Sequence, residues 1–316
     1  MRVGISLWPQ GPTWRDLCAA AVEVDTLGLD SLWLYDHFVS LGADETLPVF
    51  DGWTGLAALS ALTSRARLGV LVTGVTYRNP AILAKMTATL DHISGGRAVL
   101  GLGAGWHERE HRAYGIEFPS AGERISMLDE ACTVIRSLFE NDVTDFHGAH
   151  YVLRDAVLVP KPLQRHLPLL IGGGGERKTL RVVARHADLW NAFGTPEVVV
   201  GKRAALDGHC VAVGRDPANI GVTVNVGVIV RDRPGLVEDR LNEIGEIANF
   251  PDYAASNRPW GPPDVVATRL AEYANAGASE IIAVMPAPYD HQTIERLATE
   301  IAPRLRQLTP SKHPTP

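Results

Sequence analysis

The stretch LLIGGGGERKTLR, Leu169 to Arg181, joins a short apolar run to a basic, helix-patterned segment through four consecutive glycines, Gly172 to Gly175. An apolar run of that length buries as a strand, and the pattern from Lys178 to His186 reads as a helix. Between the two, glycine removes every Cβ, so backbone N–H groups can approach a bound group closely. The start of a helix adds partial positive charge, and Arg177, Lys178 and Arg181 add full charges. Such a turn suits a phosphate. It is not a P-loop, because no Lys-Ser or Lys-Thr follows the last glycine at the required spacing.

The same strand-then-helix unit recurs on both sides. Upstream, Arg2 to Trp8 precedes a helical pattern from Trp14 to Leu27, and SLWLYDH from Ser31 precedes one around Thr54 to Thr63. RLGVLVTGV from Arg67 precedes a helix from about Pro80 to Gly95-Gly96, and AVLGLGAG from Ala98 precedes Ala121 to Phe139. Downstream, ADLWNAFG precedes Glu197 to Val213, GVTVNVGVIV precedes Val237 to Ala248, and SEIIAVMP precedes His291 to Leu308. The strands are near-continuous apolar runs, as in a parallel sheet covered by helices. Eight such units predict an α/β TIM (β/α)8 barrel with insertions; a doubly wound sheet would show fewer strands and two halves. The expected domain spans 1–306, with an inserted loop or hairpin near 141–167 and a Pro-rich flexible tail over 307–316.

Composition narrows the function. A chain of 316 residues, 46% hydrophobic and 21% charged, is ordinary for a soluble enzyme, and a net charge of -6 argues against a nucleic-acid surface. Cys18, Cys132 and Cys210 have no metal or redox spacing. There is no signal-peptide core and no run of membrane-spanning length, so the expectation is a cytoplasmic protein acting on a small molecule.

A barrel keeps its site at the strand C-terminal ends. Those ends offer Trp8, Asp36 with His37, Thr73 with Gly74, the glycines of GLGAGW, the turn at Gly172 to Gly175, Asn191, Asn225 and Met285. No nucleophile stands beside a base and no carboxylate cluster is present, which leaves a slot for a flat, phosphate-bearing cofactor with its own reactivity. Asp36-His37 is the candidate for proton chemistry. LGLGAGW, Leu100 to Trp106, is spaced G-x-G-x-G and not as a dinucleotide fingerprint, so its glycines are read as room for a planar ring. His107-Glu108-Arg109-Glu110-His111 matches the H-E-x-x-H zinc motif, but it follows a glycine-rich strand end and has no clear third ligand. It is expected to be a solvated charged segment, with no metal site.

These residues resemble the luciferase-like monooxygenase superfamily, in its branch that uses the deazaflavin coenzyme F420. The resemblance rests on LGLDSLWLYDH, on the long block from Asp51 to Pro119, and on the IGGGGERK turn through ADLWN. It implies an oxidoreductase moving a hydride between F420 and a small organic substrate, with FMN as the alternative cofactor of a monooxygenase on the same fold. It also implies homodimers. From another class, a non-catalytic cofactor-binding protein stays open at this point. By the resemblance, Asp36 and His37 would sit at the reacting ring with Thr73 nearby, and Gly103, Ala104 and Gly105 would lie along it. Gly172, Gly173, Gly174, Gly175, Glu176 and Arg177 would hold the phosphate, and a ring-backing bulge, often a non-proline cis peptide, would fall at Val70-Leu71. One departure stands out: sugar-phosphate dehydrogenases of this type carry a glutamate where this chain has Trp106.

Overall fold

The computed structural model describes residues 1–42, 44–245 and 258–308. Strands β1 (Arg2–Leu7), β2 (Ser31–Leu34), β3 (Arg67–Val70), β4 (Thr73–Gly74) and β5 (Ala98–Gly103) form its first half. A short antiparallel pair, β6 (Thr144–His147) and β7 (Val152–Ala156), intervenes. Then come β8 (Leu169–Gly172), β9 (Leu189–Ala192), β10 (Gly221–Gly227), β11 (Ile229–Val230), β12 (Trp260–Gly261) and β13 (Ala278–Met285). Parallel pairing runs β1-β2-β3, then β5-β8-β9-β10-β13 and back to β1, while β3 and β4 both pair with β5. Eight parallel staves therefore close into a barrel, the third of them broken between β3 and β4. The break holds a cis peptide at Leu71-Val72, one bond beyond the expected Val70-Leu71.

Alternation along the staves separates two cores. Outward residues such as Val3, Ile5 and Leu7 are fully buried against the helices. Inward, Trp33, Leu71, Val99, Leu170, Leu189 and Ile282 fill the lumen with Val72 beside them. Trp33 fits because Gly69 faces it: a Cβ there would lie 2.3 Å from the indole. At the N-terminal floor the Trp33 indole N–H donates to Ser31 Oγ at 2.7 Å, Ser31 donates to Glu280, and Glu280 accepts from Arg2 at 3.1 Å. This satisfies the polar groups that the floor buries.

The helices start where sequence chemistry places them. Helix α1 (Trp14–Thr26) opens with a capping box between Thr13 and Asp16. Asp51 caps α2 (Gly52–Leu62); Asn79 caps α3 (Pro80–Ser94), which Gly95 ends at φ 67°. Helices α4 (Glu108–Ala113), α5 (Ala121–Glu140), α6 (Thr179–His186), α7 (Pro196–Ala212), α8 (Pro234–Ile244) and α9 (Pro263–Asn275) follow, and a last helix, His291–Arg296, runs through a π turn, Leu297–Ile301, into Ala302–Arg306. Helix α9 was not anticipated. Pro262-Pro263 reads as a loop, yet proline in the first turn is a helix start, and Val266, Leu270, Tyr273 and Ala274 are buried beyond it. The seventh stave is thus followed by two helices. Residues 246–248 of the expected helix Val237 to Ala248, and 309–316 of the expected tail, lie outside the described residues.

A second apolar cluster gathers Trp8, Tyr35, Ile229, Val237, Ile244 and Val284, with Trp260 packed against it. Trp8 and Tyr35 follow directly on β1 and β2, so this cluster lies at the C-terminal rim and encloses one side of the strand ends. Among the described residues no helix is long and apolar enough to cross a membrane.

Candidate active site

The residues after β2 carry Asp36 and His37 to the rim, and the two part company there. Asp36 is 1% exposed and receives both Arg78 guanidinium nitrogens, at 2.5 and 3.2 Å, while Arg78 also reaches Asp51 at 3.2 Å. Burial pushes the Asp36 carboxyl up from the usual carboxylate range; Arg78 and a Thr73 hydrogen bond pull against it without cancelling it. Asp36 therefore ties the second and third rim loops together, and His37 is the more accessible of the pair. Thr73, fully buried, accepts the Trp53 indole N–H at 2.7 Å, so its hydroxyl is also spent on the scaffold.

His37 Nδ1 lies 2.8 Å from Glu110 Oε1. Glu110 has no exposed surface; it also accepts the Tyr77 hydroxyl proton on Oε1 and the Phe38 N–H on Oε2 at 2.9 Å. Burial alone would raise the Glu110 carboxyl, but the hydrogen bonds from His37, Tyr77 and Phe38 outweigh it and hold the group below the usual range. Tyr77 moves the other way, raised by burial and by its bond to Glu110. An ionised carboxylate only accepts, so His37 carries its proton on Nδ1. In the neutral imidazole this leaves Nε2 as a proton acceptor.

This arrangement corrects the reading of His107 to His111 as a solvated segment. Glu108, Arg109 and Arg112 are exposed, but Glu110 and His111 are completely buried on the inner side of α4. Nor do the motif's two histidines converge. His111 Nδ1 donates to the His107 carbonyl at 2.8 Å, and Nε2 accepts from Thr76 Oγ1 at 2.7 Å. His107 instead stacks on Trp106, ring centroids 5.0 Å apart at 26°. Its buried Nδ1 has no hydrogen-bond partner among the described residues and lies 3.7 Å from Glu110 Oε1. Burial lowers the His107 ring pKa, and Glu110 only partly offsets this. His37, His107 and Glu110 bring three donor atoms within 4.8 Å of one another, a set that could hold a metal ion and that the motif does not describe. A six-residue charged helix has no apolar stripe, so periodicity gave no sign of its buried side.

Across the rim, glycine clears a floor. A Cβ on Gly103 would stand 2.7 Å from Val72 Cγ2, and one on Gly172 would stand 3.1 Å from the same side chain, so Val72 fills the space both residues leave. Val70 is fully buried and Leu71 nearly so. Gly105 turns at φ 77° beside Thr76, with Ala104 half-buried before it. Asn191 donates to Thr223 and Asn225, at 2.9 and 3.2 Å, while its buried Oδ1 has no partner among the described residues. A buried acceptor left open beside a floor formed by Val72 fits a planar ring bearing N–H groups.

The glycine turn completes the slot. Gly173 sits at φ 130°, a conformation that strains any residue with a Cβ. Its carbonyl accepts the Trp190 indole at 2.8 Å, Lys202 Nζ holds the Gly174 carbonyl at 3.0 Å, and His209 Nε2 holds that of Glu176 at 2.7 Å. With the carbonyls tied back, the N–H groups of Gly174, Gly175, Glu176 and Arg177 meet no protein acceptor among the described residues. They are available to an anion ahead of α6.

Comparison with known proteins agrees with the fold. The family model described as luciferase-like monooxygenase matches residues 1–259, and the chain belongs to that family. An uncharacterised protein of Mycobacterium tuberculosis is 31% identical over 242 residues, 77% of this chain and 80% of the relative. The F420-dependent glucose-6-phosphate dehydrogenase of Microbacterium testaceum is 29% identical, over 93% of this chain and 94% of that one. Among solved structures, an F420-dependent secondary alcohol dehydrogenase in complex with an F420-acetone adduct superposes with a TM-score of 0.82 at 21% identity, covering 96% of this chain and 99% of the other.

Proposed function

We propose that the chain is an F420-dependent oxidoreductase of the luciferase-like type, moving a hydride between the deazaflavin and a small organic substrate. One observation carries the reading: a strand-end histidine, His37, is fixed by the buried Glu110 carboxylate so that Nε2 stays available for a substrate proton. The names of the F420-dependent relatives support the cofactor. When bound, the deazaflavin supplies the hydride acceptor or donor, so the protein has only to hold it, exclude water and manage one proton. Gly103, Ala104, Gly105 and the Val70 to Val72 bulge would back the ring. Asn191 Oδ1 would accept from a ring N–H. Asp36 and Thr73 would act from behind, as scaffold. Gly172 to Arg177 would hold the phosphate, through the free N–H groups of Gly174 to Arg177. In this reading the enzyme works on a small molecule in the cytoplasm and, as the family resemblance implies, as a homodimer.

Both F420 and FMN carry a phosphate, so the glycine turn cannot choose between them. Arg177, Lys178 and Arg181 are exposed and could meet the acidic tail of F420, a contribution that salt screens. The larger preference must come from the ring floor. Titration of apo-protein with each cofactor by fluorescence, at low and moderate salt, is expected to give tighter F420 binding at both. Tighter FMN binding would overturn the cofactor assignment and leave the barrel and the phosphate turn standing.

A further inference from the structure

The rim is electrically divided. The loops that surround His37, residues 35–51, 71–79 and 104–120, contain seven acidic residues and three arginines. Each arginine is engaged: Arg78 by Asp36 and Asp51, Arg109 by Glu45, Arg112 by Glu108. Residues 246–257, outside the described set, contain no Lys or Arg. Arg124, with no carboxylate partner among the described residues, is buried and bonded to the Gly105 and Pro119 carbonyls beside this rim, whereas Arg177, Lys178 and Arg181 stand exposed at the glycine turn. A phosphate meets exposed cations at that turn, while near His37 Arg78 and Arg124 are already engaged by protein acceptors.

What His37 does have beside it is an open aromatic face. Of the aromatics in ring contact with one another at His37, Trp106 is 62% exposed and Tyr35 only 4%; Tyr114, 59% exposed, packs on Phe38 instead. One side of the Trp106 indole is stacked by His107, and its ring meets the His37 imidazole edge-on, centroids 5.4 Å apart at 72°. His37 in turn packs edge-on to Tyr35, at 5.2 Å. An exposed indole braced from behind and set against the proton-handling ring is a surface for a planar or apolar group. We infer that the substrate is an uncharged alcohol or carbonyl compound whose reacting carbon bears a flat or bulky apolar substituent, and that Trp106 selects it by stacking. A sugar phosphate would meet net negative charge at the same place. This inference rests on the F420 reading and names the substrate class for the same site.

The test is binding to the F420-loaded protein, with F420 loading itself verified first by fluorescence. Acetophenone, acetone and glucose 6-phosphate are titrated by calorimetry into the wild type, Trp106→Ala and Trp106→Phe. Acetophenone is expected to bind at least tenfold more tightly than acetone to the wild type and to Trp106→Phe. In Trp106→Ala that ratio should fall below about threefold, while F420 and acetone binding stay unchanged. Glucose 6-phosphate should be the weakest of the three. Glucose 6-phosphate binding more tightly than acetophenone, or a ratio that Trp106→Ala leaves intact, overturns the inference. Failure of F420 to load removes the reading beneath it, and shows before any carbonyl compound is added.

Discussion

Glu110→Gln is the substitution that asks most of the proposed mechanism, because it changes one charge and almost no volume. The carboxylate accepts from His37, Tyr77 and Phe38 and is completely buried. Glutamine offers one acceptor oxygen and an amide that donates, so at least one of those three donors loses its partner. The His37 bond loses its charge assistance at the least. Hydrogen bonds to charged groups contribute about 1.5–3 kcal/mol. If that energy holds the imidazole in its working tautomer, turnover falls by about 10- to 150-fold at about 1.4 kcal/mol per decade. F420 binding should stay within about tenfold, since Glu110 is not among the residues assigned to the cofactor. His37→Ala should cost about 100-fold or more, the scale for losing a general acid or base.

The decisive measurement is the double-mutant cycle. If Glu110 acts only through His37, then His37→Ala/Glu110→Gln turns over within about threefold of His37→Ala alone. Losses that multiply would show that Glu110 acts on its own, and the orienting role would be wrong. A pH series gives a second reading. The folded Glu110 value lies below its ordinary value of 4.5, so its stabilising contribution is present above about that pH and is lost as pH falls through the lower folded value. Thermal melts should show that acid-side loss in the wild type and a smaller one in Glu110→Gln; equal losses would mean that other carboxylates dominate.

Three further outcomes follow from the geometry. Gly174→Asp should weaken F420 binding far more than Glu108→Gln, because a Cβ at 174 points at Lys202 Nζ, 2.3 Å away, and the new charge stands among the free N–H groups, whereas Glu108 is exposed and paired with Arg112; fluorescence titration of both variants decides, and the reverse order would remove the phosphate from this turn. Zinc should inhibit: a chelator leaves turnover unchanged, added zinc lowers it through His37, His107 and Glu110, and His107→Ala relieves the effect by at least tenfold in zinc concentration, whereas activity that requires stoichiometric zinc would replace the redox reading with a metal one. Gly69→Ala should destabilise the fold by about 1–3 kcal/mol in chemical denaturation, since its Cβ would press on Trp33 at 2.3 and 2.7 Å; an unchanged midpoint would mean that the lumen can repack.

The barrel was legible because it is written in a repeated local signal. Eight apolar runs, each followed by a helical pattern, fix the closed sheet without knowledge of any single contact. Once the barrel is accepted, the strand ends follow, and with them His37 and the glycine turn. The unread parts are those that local pattern does not encode. Helix α9 hid behind Pro262-Pro263, where the same residues serve a loop or a first turn. The partner of Asp36 was not legible because Arg78 lies 42 residues along the chain. Glu110 looked solvated because three of its close neighbours in the charged run are; its burial comes from His37, Tyr77 and Phe38, which reach it from two other loops.

That last failure has a physical cause of its own. A fully buried carboxylate is expensive unless several donors converge on it, and here they come from loops that the barrel brings to one rim. The cost is met only when the second, third and fourth loops are all in place, so the orientation of His37 reports the assembly of the whole rim. Sequence reading can place such a residue on a helix of alternating charge; it cannot say that the charge is turned inward. A strand-end histidine with no acid beside it in sequence, other than one already claimed by an arginine, is the clue that a carboxylate must arrive from elsewhere. In this chain the H-E-x-x-H segment supplies it through the residue that the zinc reading leaves unnamed, Glu110.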